Sequence, residues 1–142
     1  MLRSARKYDR NIWIKLNGEF MDHEVTEAEL GNVFDKALKS NDHIKLFMIE
    51  EEDRIVGFVN IMAVFSVWAK GFAVIVDDLY IIEESRRKGY GTKAMREIEN
   101  YAREHNYKRM QFTSDDTEKR AKEFYKKLGF ETAETNFYVR YI

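Results

Sequence analysis

The chain reads as an α/β fold of the α+β kind, a single domain over residues 1–142 with a mixed, mostly antiparallel sheet flanked by about four helices. Three observations predict it. At 142 residues and 44% hydrophobic composition, the chain is long enough to bury one core. Three successive segments, "IKLFMIE", "IVGFVNIMAVF" and "FAVIVDDLYII", are rich in branched and aromatic residues, as the strands of a meander are. Helical and strand patterns then alternate, so the expected order is β-α-α-β-β-β-α-β-α-β-β.

Met1 to Ala5 suits a short strand. Asp9 is placed to cap a first helix whose apolar side is Ile12, Trp13, Leu16 and Phe20 and which ends near Met21. "TEAE", Thr26 to Glu29, is a capping-box pattern opening a second helix with Leu30, Val33, Phe34, Ala37 and Leu38 on one side; "SND" at 40–42 stops it. "EEDR" is short enough to turn a hairpin between the first two meander strands. The third, Phe72 to Ile82, is apolar enough to be covered on both faces, apart from Asp77 and Asp78.

A long helix follows with Ala94, Met95, Ile98, Tyr101, Ala102 and His105 on one stripe, and Glu99 four residues before Arg103 on the other. "KRMQFT" is a short strand. "SDDTE" caps a last helix with Ala121, Phe124, Tyr125 and Leu128 on one side, and Gly129 ends it where a left-handed residue costs least. "ETAETNFYVRYI" alternates as a strand, Phe137, Val139 and Tyr141 against Tyr138, Arg140 and Ile142. An aromatic edge of that kind invites a second chain, so a homodimer is the expectation it raises.

Twenty-four Lys and Arg against 25 Asp and Glu give a net charge of −1, so neither nucleic acid nor a membrane is an expected partner. The basic cluster Lys119, Arg120, Lys122, Lys126 and Lys127 is interleaved with Glu118 and Glu123 and reads as solvated helix surface. Absence of cysteine removes thiol nucleophiles, thiolate metal sites and disulfides. His23, His43 and His105 lack ligand-like spacing, and no metal is expected. With no apolar run of about 18 residues and no secretory pattern, the chain reads as cytoplasmic.

The chemistry concentrates in "IIEESRRKGYGTKAM", residues 81–95. A strand, a cationic bend, two glycines and a helix start put free N–H groups at the positive end of a helix dipole, a site for phosphate or pyrophosphate. Gly89 and Gly91 let a ligand approach the backbone, and Arg86, Arg87 and Lys88 add charge. "GYGTKA" formally satisfies the dinucleotide fingerprint, but Glu83 to Lys88 separate it from the strand, and the repeated parallel strand–helix units are missing. A P-loop fails on glycine spacing.

"LYIIEESRRKGYGTKAM" resembles the central motif R-x-x-G-x-G/A of the GNAT superfamily of acyl-CoA-dependent N-acetyltransferases, filled by Arg86, Gly89 and Gly91. "AKEFYKKLGF", Ala121 to Phe130, resembles its second motif, A-x-x-x-Y-x-x-x-G-F, one strand later. Two departures stand out: Glu118 where the family often has asparagine, and Glu83 where proline is common. The resemblance implies acetyl-CoA as co-substrate and a small-molecule or peptide amine as acceptor, attacked directly in a ternary complex.

It further implies that the backbone of Leu79, Tyr80 and Ile81 pairs with the pantetheine arm, that Arg86, Arg87, Lys88, Gly89, Tyr90, Gly91 and Thr92 wrap the pyrophosphate, and that Glu118, Ala121, Phe124 and Lys127 lie beside the coenzyme. Tyr125 takes the position of the general acid. Asp77 and Asp78 interrupt an apolar strand, so one of them is a candidate base, with Asp77 narrowly preferred and a purely structural role for both as the alternative. Glu19, Asp22 and Glu24 would suit a cationic amine. The competing readings are a coenzyme-binding or partner-binding module without the chemistry, and an unrelated enzyme using the same turn for phosphate.

Overall fold

The computed structural model describes residues 1–21, 25–40, 43–114 and 119–142. They form two compact units, Met1–Phe112 and Thr113–Ile142. The first unit holds strands β1 (Leu2–Ser4), β2 (Ile44–Glu51), β3 (Arg54–Ser66), β4 (Gly71–Ile81) and β5 (Arg109–Gln111) with helices α1 (Arg10–Met21), α2 (Glu27–Lys39) and α3 (Tyr90–Glu104). The second holds helix α4 (Lys119–Lys127).

The sheet order is β1-β2-β3-β4-β5, antiparallel throughout except for the parallel β4–β5 pair that α3 connects. The expected meander is therefore present. Its first turn is two residues, Glu52 and Asp53, with φ of 49° and 61°, the left-handed pair that matches strand twist in a tight hairpin.

Met48 pairs with Phe58 and Phe47 with Val59, so Phe58 and Phe47 point to opposite faces of the sheet. Trp13 of α1 packs on Phe58 at 6.5 Å and on Phe34 of α2 at 5.3 Å, whereas Tyr101 of α3 packs on Phe47 at 5.4 Å. Helices α1 and α2 thus cover one face and α3 the other. Phe34, Met48, Ile49, Phe58, Val59, Val74 and Ile98 are fully buried between them.

The Thr26–Glu29 capping box forms as expected: the threonine hydroxyl accepts the Glu29 N–H, and the Glu29 carboxylate accepts the Thr26 N–H. Asn41 and Asp42, like Asp115 to Glu118 of the expected α4 cap, lie outside the described residues. Gly129, at φ 92°, ends α4 while Phe130 N–H bonds the Tyr125 carbonyl, the expected left-handed stop.

Two expectations are corrected. Asp9 does not cap α1; it closes a 3₁₀ turn, Lys7–Asp9, and its buried carboxylate takes the Arg6 N–H at 2.7 Å and both terminal nitrogens of Arg3 at 2.8 and 2.9 Å. Against the penalty of burial, those bonds hold Asp9 below the ordinary carboxylate range. The final strands are also not formed: residues 131–142 carry neither strand nor helix and are exposed. Alternation alone makes no strand, because a strand needs a ladder of partners, and this segment has none among the described residues.

Candidate active site

Strand β4 changes partway along. Asn60 pairs with Asp78, but the next residue of β3, Ile61, pairs with Val76, so Asp77 is an extra residue in β4. Such a bulge reverses the alternation of side chains on either side of it. Val76 shares a face with Ile61, while Asp78 and Tyr80 share the opposite, α1-covered face with Asn60 and Phe58. Asp77 itself is exposed.

The sheet opens at the same place. Strand β5 pairs with β4 only from Ala73 to Ile75, so among the described residues no strand pairs with Val76–Ile81 on the side away from β3. Leu79, Tyr80 and Ile81 lie in this one-sided segment, although the Ile81 carbonyl accepts a bond of 2.9 Å from Arg86 Nε.

Beyond it a 3₁₀ turn, Glu83–Ser85, leads into the glycine loop. Arg87 at φ 62° and Gly89 at φ 83° are both left-handed, and helix α3 starts at Tyr90. Backbone N–H groups in the first turn, those of Tyr90, Gly91 and Thr92, have no carbonyl of their own helix to bond. Gly91 is decisive for fit. A Cβ built there meets nothing within 4 Å among the described residues, so the fold itself does not require glycine at this position of the helix start. Arg87 and Lys88 are exposed beside it; Arg86 instead folds back over the Tyr80 ring, 5.5 Å from its centre.

Asp78 is partly buried and bonded by Asn60 Nδ2 at 2.8 Å. Burial pushes its carboxyl above the ordinary range, the Asn60 amide opposes this, and the neighbouring charge of Asp77 adds to the rise. At the other end of this face, the Tyr80 hydroxyl donates to Glu19 at 3.2 Å, and Phe20 and Phe58 each lie 5.9 to 6.0 Å from a neighbouring ring in the same cluster. Burial and the Glu19 carboxylate raise the Tyr80 phenol. Asp22 and Glu24 lie outside the described residues.

In the second unit, Tyr125 is half-buried on α4, with the rings of Phe124 and Phe130 at 5.2 and 6.4 Å. Phe124 and Lys127 are exposed, Ala121 belongs to α4, and Glu118 is outside the described residues. Asn17 and Asn60, which connect to Asp78, were not among the expected site residues; their signal is an amide side chain inside an otherwise apolar run.

Residues 10–130 match the model of the acetyltransferase (GNAT) family. The chain belongs to the GNAT acetyltransferase family. The match takes in the glycine loop, Asp77, Asp78 and Tyr125. It is 22% identical over 132 residues to an uncharacterized N-acetyltransferase, YhfO, of Bacillus subtilis (strain 168), covering 92% of this chain and 89% of that protein. In fold it is similar to a possible acetyltransferase from Clostridium difficile 630, with a TM-score of 0.84, 22% identity, and coverage of 100% and 97% of the two chains. It is likewise similar to the aminoglycoside N-acetyltransferase AAC(6')-Iy in complex with CoA, at a TM-score of 0.82, 14% identity, and coverage of 99% and 93%. The GNAT family uses acetyl-CoA, whose diphosphate is the kind of anion that a helix start such as that of α3, with room beside Gly91, is suited to take. Among the described residues no helix is long and apolar enough to cross a membrane, and no three His, Asp or Glu side chains cluster as metal ligands do.

Proposed function

We propose that this GNAT member is an N-acetyltransferase acting as one domain over residues 1–142, transferring acetyl from acetyl-CoA to a primary amine of a small molecule or peptide in a ternary complex. The observation that carries the reading is the junction at the bulge: an open strand edge, a desolvated carboxylate and a helix start with room over Gly91 follow one another within fifteen residues of chain, Asp77 to Gly91.

Bound acetyl-CoA supplies an activated acyl thioester. The amides from Arg87 to Thr92 hold the diphosphate, with Arg87 and Lys88 adding charge, and the exposed edge from Leu79 to Ile81 orients the arm as an added strand. Asp78, rather than the exposed Asp77, takes the ammonium proton of the acceptor, because partial burial raises its affinity for a proton toward the working pH. Tyr125 gives its phenolic proton to the departing sulfur, with Phe124 and Lys127 beside the coenzyme. The acceptor ammonium loses two protons on becoming an amide. Asp78 takes the first and releases it to solvent. The second, lost as the nitrogen–carbon bond forms and the carbon–sulfur bond breaks, balances the one that Tyr125 gives to the thiol and then recovers. Glu19 and the Tyr80 and Phe20 rings favour a cationic acceptor with an apolar body.

Acetyl-CoA is expected to raise the melting temperature, since it binds only the folded state, and NAD is not. A panel of polyamines, amino sugars and peptide amines then reports acetyl transfer by thiol release. Tyr125→Phe is expected to lower kcat by about 10²–10⁴ with little change in coenzyme affinity. Unchanged turnover removes Tyr125 as the acid. Coenzyme binding with no amine acetylated turns the reading into a coenzyme-binding module.

A further inference from the structure

Between α1 and the sheet, three buried side chains bring polar atoms to a layer where the fold calls for hydrocarbon: Trp13 and Asn17 from α1 and Asn60 from β3. Asn17 has 1% of its surface exposed. Their bonds form a ring with one direction. The Trp13 indole N–H donates to Asn60 Oδ1 at 3.0 Å, Asn60 Nδ2 donates to Asn17 Oδ1 at 3.1 Å, and Asn17 Nδ2 donates to the Trp13 carbonyl at 2.7 Å.

That direction is fixed by chemistry. An indole nitrogen can only donate, so the oxygen of Asn60 must face it. The amide nitrogen of Asn60 then faces Asn17 and Asp78. Its second hydrogen is the one left over from the ring, and it goes to Asp78 Oδ2 at 2.8 Å. Turning the Asn60 amide over would set two donors against each other at the indole and two acceptors at both other contacts.

Stability does not explain the ring. Replacing hydrogen-bonded buried partners by apolar groups of the same shape is close to neutral or stabilising. What leucines there could not supply is an N–H of fixed direction at one oxygen of Asp78.

We propose that Asn60, locked by Trp13 and Asn17, is the positioning residue of Asp78: it occupies Oδ2 in both charge states, so that Oδ1 is the atom that takes and releases the proton. This rests on Asp78 being the base. Among the described residues, other charged and titratable groups around this face are few. Asp77 adjoins Asp78 in the chain; Tyr80 lies two residues on, bonded by Glu19 of α1 and covered by Arg86; β3 contributes Asn60 without charge.

Carboxyl-labelled aspartate lets NMR follow Asp78 directly, without any substrate, its signal assigned by its loss in Asp78→Asn. In Asn60→Leu, which keeps the volume and deletes the donor, the Asp78 midpoint is expected to move upward by about one pH unit, a tenfold gain in proton affinity. Trp13→Phe frees the Asn60 amide to turn and is expected to move it the same way by less. In the unaltered protein, the Trp13 indole N–H signal should shift with the Asp78 midpoint while that of Trp68, 92% exposed, does not. This last measurement decides even where Asn60→Leu fails to fold.

An Asp78 midpoint unmoved in folded Asn60→Leu, or a Trp13 signal indifferent to the Asp78 titration, overturns the proposal. With the best amine of the panel, the acid limb of kcat moves up in step with Asp78 while KM for acetyl-CoA stays put. A midpoint that responds in a protein that acetylates no amine supports the relay and counts against the proposed function alone.

Discussion

Strand β4 has two halves that share a backbone and little else. From Gly71 to Val76 it is flanked by β3 and, over Ala73–Ile75, by β5, and Ala73 and Val74 expose nothing. From Asp77 to Ile81 its one partner strand among the described residues is β3, and its α1-side residues are Asp78 and Tyr80. The first half is stabilised by burial, about 1.5–3 kcal/mol for each fully buried valine-sized side chain. The second half sets a partly desolvated carboxylate and an unpaired edge side by side, and both weaken the fold. One inserted residue separates the two roles.

The largest effect expected from this contrast is at Asp78. Asp78→Asn should lower acetyl transfer by about 10²–10⁴, roughly 3–5 kcal/mol of barrier, while leaving coenzyme A binding in place. Its effect on stability has the opposite sign. A carboxyl whose folded pKa is raised contributes fully below its unfolded value, and that contribution is lost as pH rises through the folded value. Asp78→Asn is therefore expected to melt above the parent protein near neutral pH, with the gap narrowing toward about pH 4. Equal melting curves across that range would show that Asp78 carries no strain.

Next in size is a pair of substitutions that strike the two halves separately. A Cβ at Gly57 would sit 2.1 Å from the Tyr80 carbonyl oxygen, so Gly57→Ala must push the backbone of the second half aside. It is expected to cost about 1–3 kcal/mol in urea unfolding and to weaken coenzyme A as well. Val74→Ala, in the first half, is expected to cost a similar ~1.5–3 kcal/mol with the coenzyme affinity unchanged. Loss of affinity in both would mean that the halves are not separable.

The contrast also shows what can be read from a chain of this kind. The first half was legible because an apolar run needs no knowledge of its partner to be recognised as buried. So were the capping box at Thr26, the hairpin turn at Glu52 and Asp53, and the glycine stop at Gly129, each decided by residues within one turn of one another. The bulge was not, since whether Asp77 is inserted depends on the register with Asn60, eighteen positions before Asp78. Simple alternation put Asp77 and Asp78 on an equal footing; the register exposes one and half-buries the other. The same limit hid the ring, because Asn17 and Asn60 acquire meaning only when α1 lies on β3. Residues 131–142 show the reverse failure, a clear alternation that has no partner strand among the described residues.

The smallest expected effect is the most direct test of what the second half leads to. Gly89 and Gly91 both have nothing within 4 Å of a built Cβ, yet only Gly89, at φ 83°, has a backbone that disfavours a side chain. Gly89→Ala should then lose stability. Gly91→Ala should gain about 0.5–1 kcal/mol, because alanine has less backbone freedom to lose in a helix and meets no neighbour there. If the space over Gly91 is kept for a diphosphate, the more stable protein binds coenzyme A more weakly, which calorimetry can read beside a urea curve. A stabilised Gly91→Ala variant with undiminished affinity would mean that the glycine is not reserved for the ligand, and the diphosphate would have to be sought elsewhere along the loop.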